Sequence, residues 1–297
     1  MIAVRLVLLG GLLSATVPAA FATGEAGGGR GVQQAPVFSS RAEAVRIDVF
    51  VRQDGRPVHG LQAADFEVLD NGVRQEIEVL GLERAPLDVV LALDMSGSVQ
   101  GARLEQLRAA GARLLASLAE DDAAALVVFS DLVSLRSEFT ADKDRLLAAL
   151  QAPVDGVDTA LRDAVHAAML VGSAVADRPL VIVFSDGVDT ASVLTPSLVL
   201  ENAKQIGPVV YAVTPAQPGR DRFLDDFVRL TGGRRLDVAS LDRVGEAFDE
   251  ILREARARYV VTYTPRGVET QGWHELSIRL RGRRGEVRAR PGYFAAR

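Results

Sequence analysis

The feature that most constrains this chain is an apolar run too continuous for a half-exposed strand. Val89-Val90-Leu91-Ala92-Leu93 has no polar residue at any position, and Ala124–Phe129, Leu180–Phe184 and Val209–Val213 repeat the pattern. Side chains alternate across a strand, so a run that is apolar throughout needs cover on both faces. Helical periodicity fills the segments between these runs: Val99–Leu118, Asp142–Leu150, Thr159–Val171 and Pro196–Ile206, with further helices predicted at Arg222–Thr231 and Leu241–Ala257. Strand alternating with helix is the pattern of an α/β fold. It predicts a doubly wound, mostly parallel sheet with right-handed crossovers over residues 85–257.

Both flanks depart from that pattern. Val45, Ile47, Val49 and Val51 alternate with Arg46, Asp48 and Arg52, the signature of a half-buried antiparallel strand. Asp54-Gly55 and Asp70-Asn71-Gly72 are turn signals, and Phe66, Val68, Ile77 and Val79 fall on strands around the second. After about residue 258 the alternation returns in Tyr259–Tyr263, in Leu276, Ile278 and Leu280, and in Val287 and Ala289. Two or three strands make a poor core alone, so 41–84 and 258–297 are expected to combine into one small β-sandwich, with the α/β domain inserted between them.

The first residues read as an address. Arg5 supplies a short positive region, Leu6–Val17 an apolar stretch of about a dozen residues, and Ala20-Phe21-Ala22 the small residues of a cleavage site. A membrane-spanning helix needs roughly 20 apolar residues, so 1–22 is expected to be a signal peptide rather than an anchor. Residues 23–40, rich in Gly, Ala, Gln and Ser without periodicity, are expected to be a flexible leader. Export to the periplasm or the extracellular space follows as an expectation. The chain has no cysteine, which excludes disulfides and thiolate metal sites. A net charge of −5 with no basic run gives no footing for nucleic acid.

Three segments at the carboxyl ends of buried runs carry the chemistry. Asp94-Met95-Ser96-Gly97-Ser98 follows the first run and opens a helix. Asp186-Gly187 follows Leu180–Ser185, and Gly156-Val157-Asp158-Thr159 leads into another helix. Open α/β sheets bind ligands at that edge. The two carboxylates and three hydroxyls of Asp94, Ser96, Ser98, Thr159 and Asp186 form an all-oxygen set without His or Cys. Such a set suits Mg2+ or Mn2+, admits Ca2+ and disfavours zinc. With few charges on the ion, it would keep Lewis acidity for an incoming carboxylate.

This order of residues, Asp94-x-Ser96-x-Ser98, then Thr159, then Asp186-Gly187, resembles the metal-ion-dependent adhesion site of von Willebrand factor A domains, on Rossmann-like elements covering about residues 85–255. The resemblance implies a binding module and not an enzyme. In it Ser96, Ser98 and Thr159 would contact the metal, Asp94 and Asp186 would act directly or through water, and a protein partner would supply an Asp or Glu carboxylate. The flanking Gly60-Leu61 and Asp65-Phe66, with the terminal Arg290-Pro291-Gly292-Tyr293-Phe294, look like a bacterial exported subgroup of these proteins.

Two other classes compete. A Mg2+-dependent phosphoryl-transfer hydrolase also puts an Asp after a buried strand, but it needs an acid two residues on, where this chain has Ser96. Neither a G-x-S-x-G elbow nor a P-loop is present. A scaffold with a purely structural metal is the remaining alternative. Asp158 and Asp163 are read as solvated, Asp189 and Thr190 as an ordinary polar loop, and His166 as a packing residue. His59 and His274 belong to the β segments, and Trp273 to a core or sandwich edge.

Overall fold

A computed structural model describes residues 44–81, 85–175, 179–216 and 222–295. The expected signal peptide and leader lie outside these residues. One compact unit spans Ala42–Arg297.

The chain opens with β1 (Val45–Gln53), β2 (Arg56–Pro57), β3 (Phe66–Asp70), β4 (Val73–Arg74) and β5 (Glu78–Gly81). It continues through β6 (Asp88–Asp94), α1 (Ala102–Ser117), β7 (Ala123–Phe129), β8 (Val133–Thr140), α2 (Lys143–Gln151) and α3 (Leu161–Val175). Next come β9 (Pro179–Phe184), α4 (Pro196–Gln205), β10 (Val209–Pro215), α5 (Phe223–Leu230), β11 (Arg235–Val238) and α6 (Val244–Arg256). The chain closes with β12 (Tyr259–Tyr263), β13 (Gly272–Leu280), β14 (Glu286–Arg288) and β15 (Gly292–Ala295). Among the described residues no helix is long and apolar enough to cross a membrane.

The continuous apolar runs become the centre of a six-stranded sheet ordered β11-β10-β9-β6-β7-β8. Five of its strands pair in parallel, and β8 runs antiparallel to β7 at one edge. The pleat sorts each run onto two cores. Val89, Leu91 and Leu93 face Leu107 and Leu114 of α1, Leu150 of α2 and Phe248 of α6. Val90 and Ala92 face Val165 of α3, Val199 of α4 and Phe227 of α5. Each such side chain, fully buried, contributes about 1.5–3 kcal/mol relative to exposure. Two strands went unread in the sequence. β8, VSLRSEFT, is half exposed and has a polar residue at nearly every second position, while β11 has only four residues.

The terminal segments pair with each other in two antiparallel sheets. One runs β14-β1-β12-β5, with β2 on β1, and the other runs β15-β13-β3-β4. Ile47, Val49, Val51, Phe66, Val68, Tyr259 and Val261 form the core between them. The C-terminal segment contributes four strands where three were expected; β15, only four residues long, is the additional one. Over the described residues, eight strand pairs are antiparallel and four are parallel. The α/β class therefore stands, but a mostly parallel arrangement describes one sheet and not the chain.

A polar clasp crosses the terminal sheets. Asp70, fully buried at the end of β3, accepts hydrogen bonds from the hydroxyls of Tyr263 and Tyr293, both at 2.8 Å, and meets Nδ1 of His274 at 2.7 Å. Burial and then the Asp70 carboxylate push both phenols well above the ordinary tyrosine range. His274 is thus a buried partner of Asp70, set in the β segments and away from the strand ends that carry the candidate centre.

Candidate metal centre

Asp94 ends β6 and has no exposed surface. Its Oδ1 accepts from the Ser96 N–H at 3.1 Å, which turns the chain back over the strand end. Its Oδ2 accepts from the Ser185 hydroxyl at 2.7 Å. Ser185 follows β9, the parallel neighbour of β6, so sheet register brings this donor across. The Ser96 and Ser98 hydroxyls lie 3.2 Å apart. Asp186, next to Ser185, is half-buried and lines a cleft of about 320 Å³ together with Ser98.

Burial pushes the Asp94 carboxyl up; hydrogen bonds from Ser185 and Ser96 oppose this, and the nearby Asp186 charge adds to the rise. Two carboxylates at the carboxyl ends of neighbouring strands, one of them fully buried, leave a local deficit of positive charge.

The Thr159 loop reaches the same place through its backbone. The Gly97 N–H donates to the Val157 carbonyl at 2.9 Å, and a Cβ on Gly97 would stand 3.0 Å from Val157 Cγ1 and 3.1 Å from its carbonyl oxygen, so a side chain there would press the loop outward. The carboxylate of Asp131, just after β7, accepts from the Val157 and Asp158 N–H groups at 2.9 and 2.5 Å. Gly156 has φ +122°, and a Cβ there would collide with the Ser130 hydroxyl. Thr159 is buried; its N–H donates to Thr190 Oγ1 at 2.9 Å, and its carbonyl accepts from the Thr190 N–H at 2.9 Å.

The structure thus links Asp94, Ser96 and Ser98 by hydrogen bonds, places Asp186 beside Ser98, and ties Thr159 in through the main chain. Among the described residues no hydrogen bond joins the Thr159 hydroxyl to the other four side chains. Nor do three or more His, Cys, Asp or Glu side chains gather there in a way that could hold a metal ion. The donor set is two carboxylates plus hydroxyls, the oxygen chemistry that Mg2+ and Mn2+ take with water completing the shell.

Several residues read as bland have work in this loop cluster. Asp163 is not simply solvated: its carboxylate accepts from the N–H groups of Val193 and Leu194, both at 2.9 Å. Asp158 accepts from the Thr190 hydroxyl at 3.2 Å. Asp189 accepts from the Arg162 N–H and guanidinium at 2.9 and 2.7 Å and from the Ser192 hydroxyl at 2.6 Å. Burial alone would raise the Asp189 carboxyl, but the bonds from Ser192 and Arg162 outweigh it and hold it low. Ser185 and Asp131 were missed altogether. A polar residue directly after a buried run was the available signal for Ser185.

Known proteins resemble this part of the chain. Residues 89–188, the span from β6 to the loop after β9 that contains all five candidate residues, match the family model of the von Willebrand factor type A domain. Over these residues the chain is similar to that family. Over 166 residues it is 26% identical to inter-alpha-trypsin inhibitor heavy chain H6 of Homo sapiens, covering 48% of this chain and only 12% of that protein. A von Willebrand factor type A structure from Catenulispora acidiphila superposes with a TM-score of 0.52 at 13% identity, covering 82% of this chain and 75% of that one. Proximal thread matrix protein 1 from the mussel byssus also gives 0.52, at 15% identity, covering 63% of this chain and 50% of that one. At these identities the likeness to solved structures is one of fold alone.

Proposed function

We propose that this chain is an exported protein-binding module whose partner is engaged through a Mg2+-type ion held at the carboxyl edge of the six-stranded sheet. The observation that carries this reading is the convergence at Asp94: a fully buried carboxylate, fixed by Ser185 and the Ser96 N–H, beside two hydroxyls 3.2 Å apart. Ser96, Ser98 and Thr159 would hold the ion, with Asp94 and Asp186 supplying the negative charge. When bound, Mg2+, Mn2+ or Ca2+ supplies a Lewis-acidic point for an Asp or Glu carboxylate of the partner.

The surface around the centre supports a protein partner. Leu132, Val157, Val188 and Val193 are 80%, 72%, 51% and 88% exposed, and they sit on the loops that follow β7, lead into α3 and follow β9. Exposed aliphatic side chains around a polar centre suit an interface better than a small polar ligand. Catalysis has no part in this reading. Ser96 stands where a phosphoryl-transfer enzyme would need its second acid, and hydroxyls do not perform acid–base work near neutral pH. Export rests on residues 1–22 as a signal peptide.

The test is capture of partners from a cell-envelope extract on the immobilised protein, in Mg2+ and in EDTA, beside Asp94→Ala. A protein retained in Mg2+ and lost both in EDTA and on the variant is expected. Capture that survives chelation and Asp94→Ala makes any metal structural and overturns the proposal.

A further inference from the structure

The opposite end of the parallel sheet carries a second cleft. It opens where Leu87, Pro179 and Val209 start or precede the amino ends of β6, β9 and β10, and where Arg258 and Arg290 lead into β12 and β15. Its volume is about 280 Å³, near the lower end for a small-molecule site. Three arginines, Arg46, Arg258 and Arg290, line it against a single carboxylate, Asp48.

Two of these guanidinium groups are fixed by neutral acceptors. Arg258, 2% exposed, donates to the Tyr211 hydroxyl at 3.0 Å and to the Gly232 and Asp48 carbonyls at 2.6 and 3.2 Å. Arg290 donates to the Gly292 and Lys204 carbonyls, both at 2.6 Å. These bonds occupy N–H groups but bring no negative charge of their own. Among the described residues none of the three arginines forms an ion pair. Burial disfavours the Arg290 cation, and the Asp48 charge opposes this only in part. A buried guanidinium whose hydrogen bonds go to neutral acceptors is costly, and its planar fork matches a carboxylate or phosphate. Apart from Ser173 and Thr231, the rest of the described wall is apolar.

We propose that this cleft is a binding site for a small organic oxyanion, with a carboxylate or phosphate head against Arg46, Arg258 and Arg290 and an apolar body against Leu87, Pro179 and Pro208. The site is independent of the metal-dependent reading, because it lies at the other end of the strands.

The test is calorimetric titration of the whole protein in EDTA at constant ionic strength, with acetate, benzoate, inorganic phosphate and phenyl phosphate as probes. One saturable site is expected, with benzoate tighter than acetate and phenyl phosphate tighter than inorganic phosphate. The stronger of the two aromatic probes shows which head the site takes. Arg290→Gln should weaken that probe about tenfold, as loss of one charged hydrogen bond does. Arg46, exposed on β1, makes no side-chain hydrogen bond or ion pair among the described residues, so Arg46→Gln keeps the fold and should still weaken binding severalfold. Asp94→Ala should change nothing. No saturable binding by any probe overturns the proposal, as does affinity that both arginine variants leave intact or that Asp94→Ala abolishes.

Discussion

At the residue scale, the hydroxyl of Ser185 holds the buried Asp94 carboxylate in place from the neighbouring strand. Side chains that orient metal ligands typically account for about 10–100-fold in metal affinity when removed. Ser185→Ala is therefore expected to weaken Mg2+ or Mn2+ binding at least about tenfold while leaving the folded circular-dichroism spectrum unchanged; calorimetric titration checks it. Asp131 does the same for the Thr159 loop through two backbone N–H groups. Asp131→Ala leaves those donors to water or unpaired, and a loss of about 1–2 kcal/mol in urea denaturation is expected. The five candidate positions were legible because each is a polar residue at or beyond the end of a strand or just before a helix. The bonds of Ser185, Asp131 and Asp163 were not, since each acts on a residue 26 to 91 positions away in the chain. No local pattern records such a bond.

At the scale of elements, the Asp70 clasp joins β3 of the N-terminal segment to β12, β13 and β15 of the C-terminal one. Removing one partner of a buried polar network strands the others, at a cost of about 3–5 kcal/mol. Asp70→Ala is expected to lower stability by about 3 kcal/mol or more, read from the urea midpoint, with metal affinity unaffected in the protein that remains folded. Unchanged stability would show that the clasp is ornamental. The same scale explains what the sequence hid. Continuous apolar runs mark strands covered on two faces, so β6, β7, β9 and β10 stood out. β8 sits at the sheet edge with a half-solvated face; its Val133, Leu135 and Phe139 alternate with polar residues as β1 does, but the buried Ser137 interrupts the apolar side of the pattern. Pairing partners are likewise silent in a single sequence: β1 pairs with β12 over a separation of about 200 residues.

At the scale of the molecule, a buried ionic network ties the six-stranded sheet to the terminal strands. Glu254 of α6, 5% exposed, pairs with Arg234, which leads into β11, and with Arg288 of β14 at 2.9 Å. Burial would raise its carboxyl, but the bonds and charges of Arg234 and Arg288 prevail and hold it low. A carboxylate lowered in the folded state stabilises the fold fully above its unfolded pKa of about 4.3, and that stability is lost as pH falls through the folded value. The urea midpoint of the protein in EDTA is expected to drop below about pH 4.3, and Glu254→Gln, already weaker at pH 7, should drop less steeply over that interval. A parallel fall in both proteins would assign the acid sensitivity elsewhere. The two ends of the six-stranded sheet thus offer separate chemistry, oxygen ligands at the carboxyl edge and arginines at the amino edge. Titration of Mg2+ and Mn2+ into the EDTA-stripped protein, beside Asp94→Ala, should give one saturable site in the former and none in the latter, with both proteins folded. Absence of saturable binding to the unaltered protein, or equal binding by the variant, would contradict the metal centre directly.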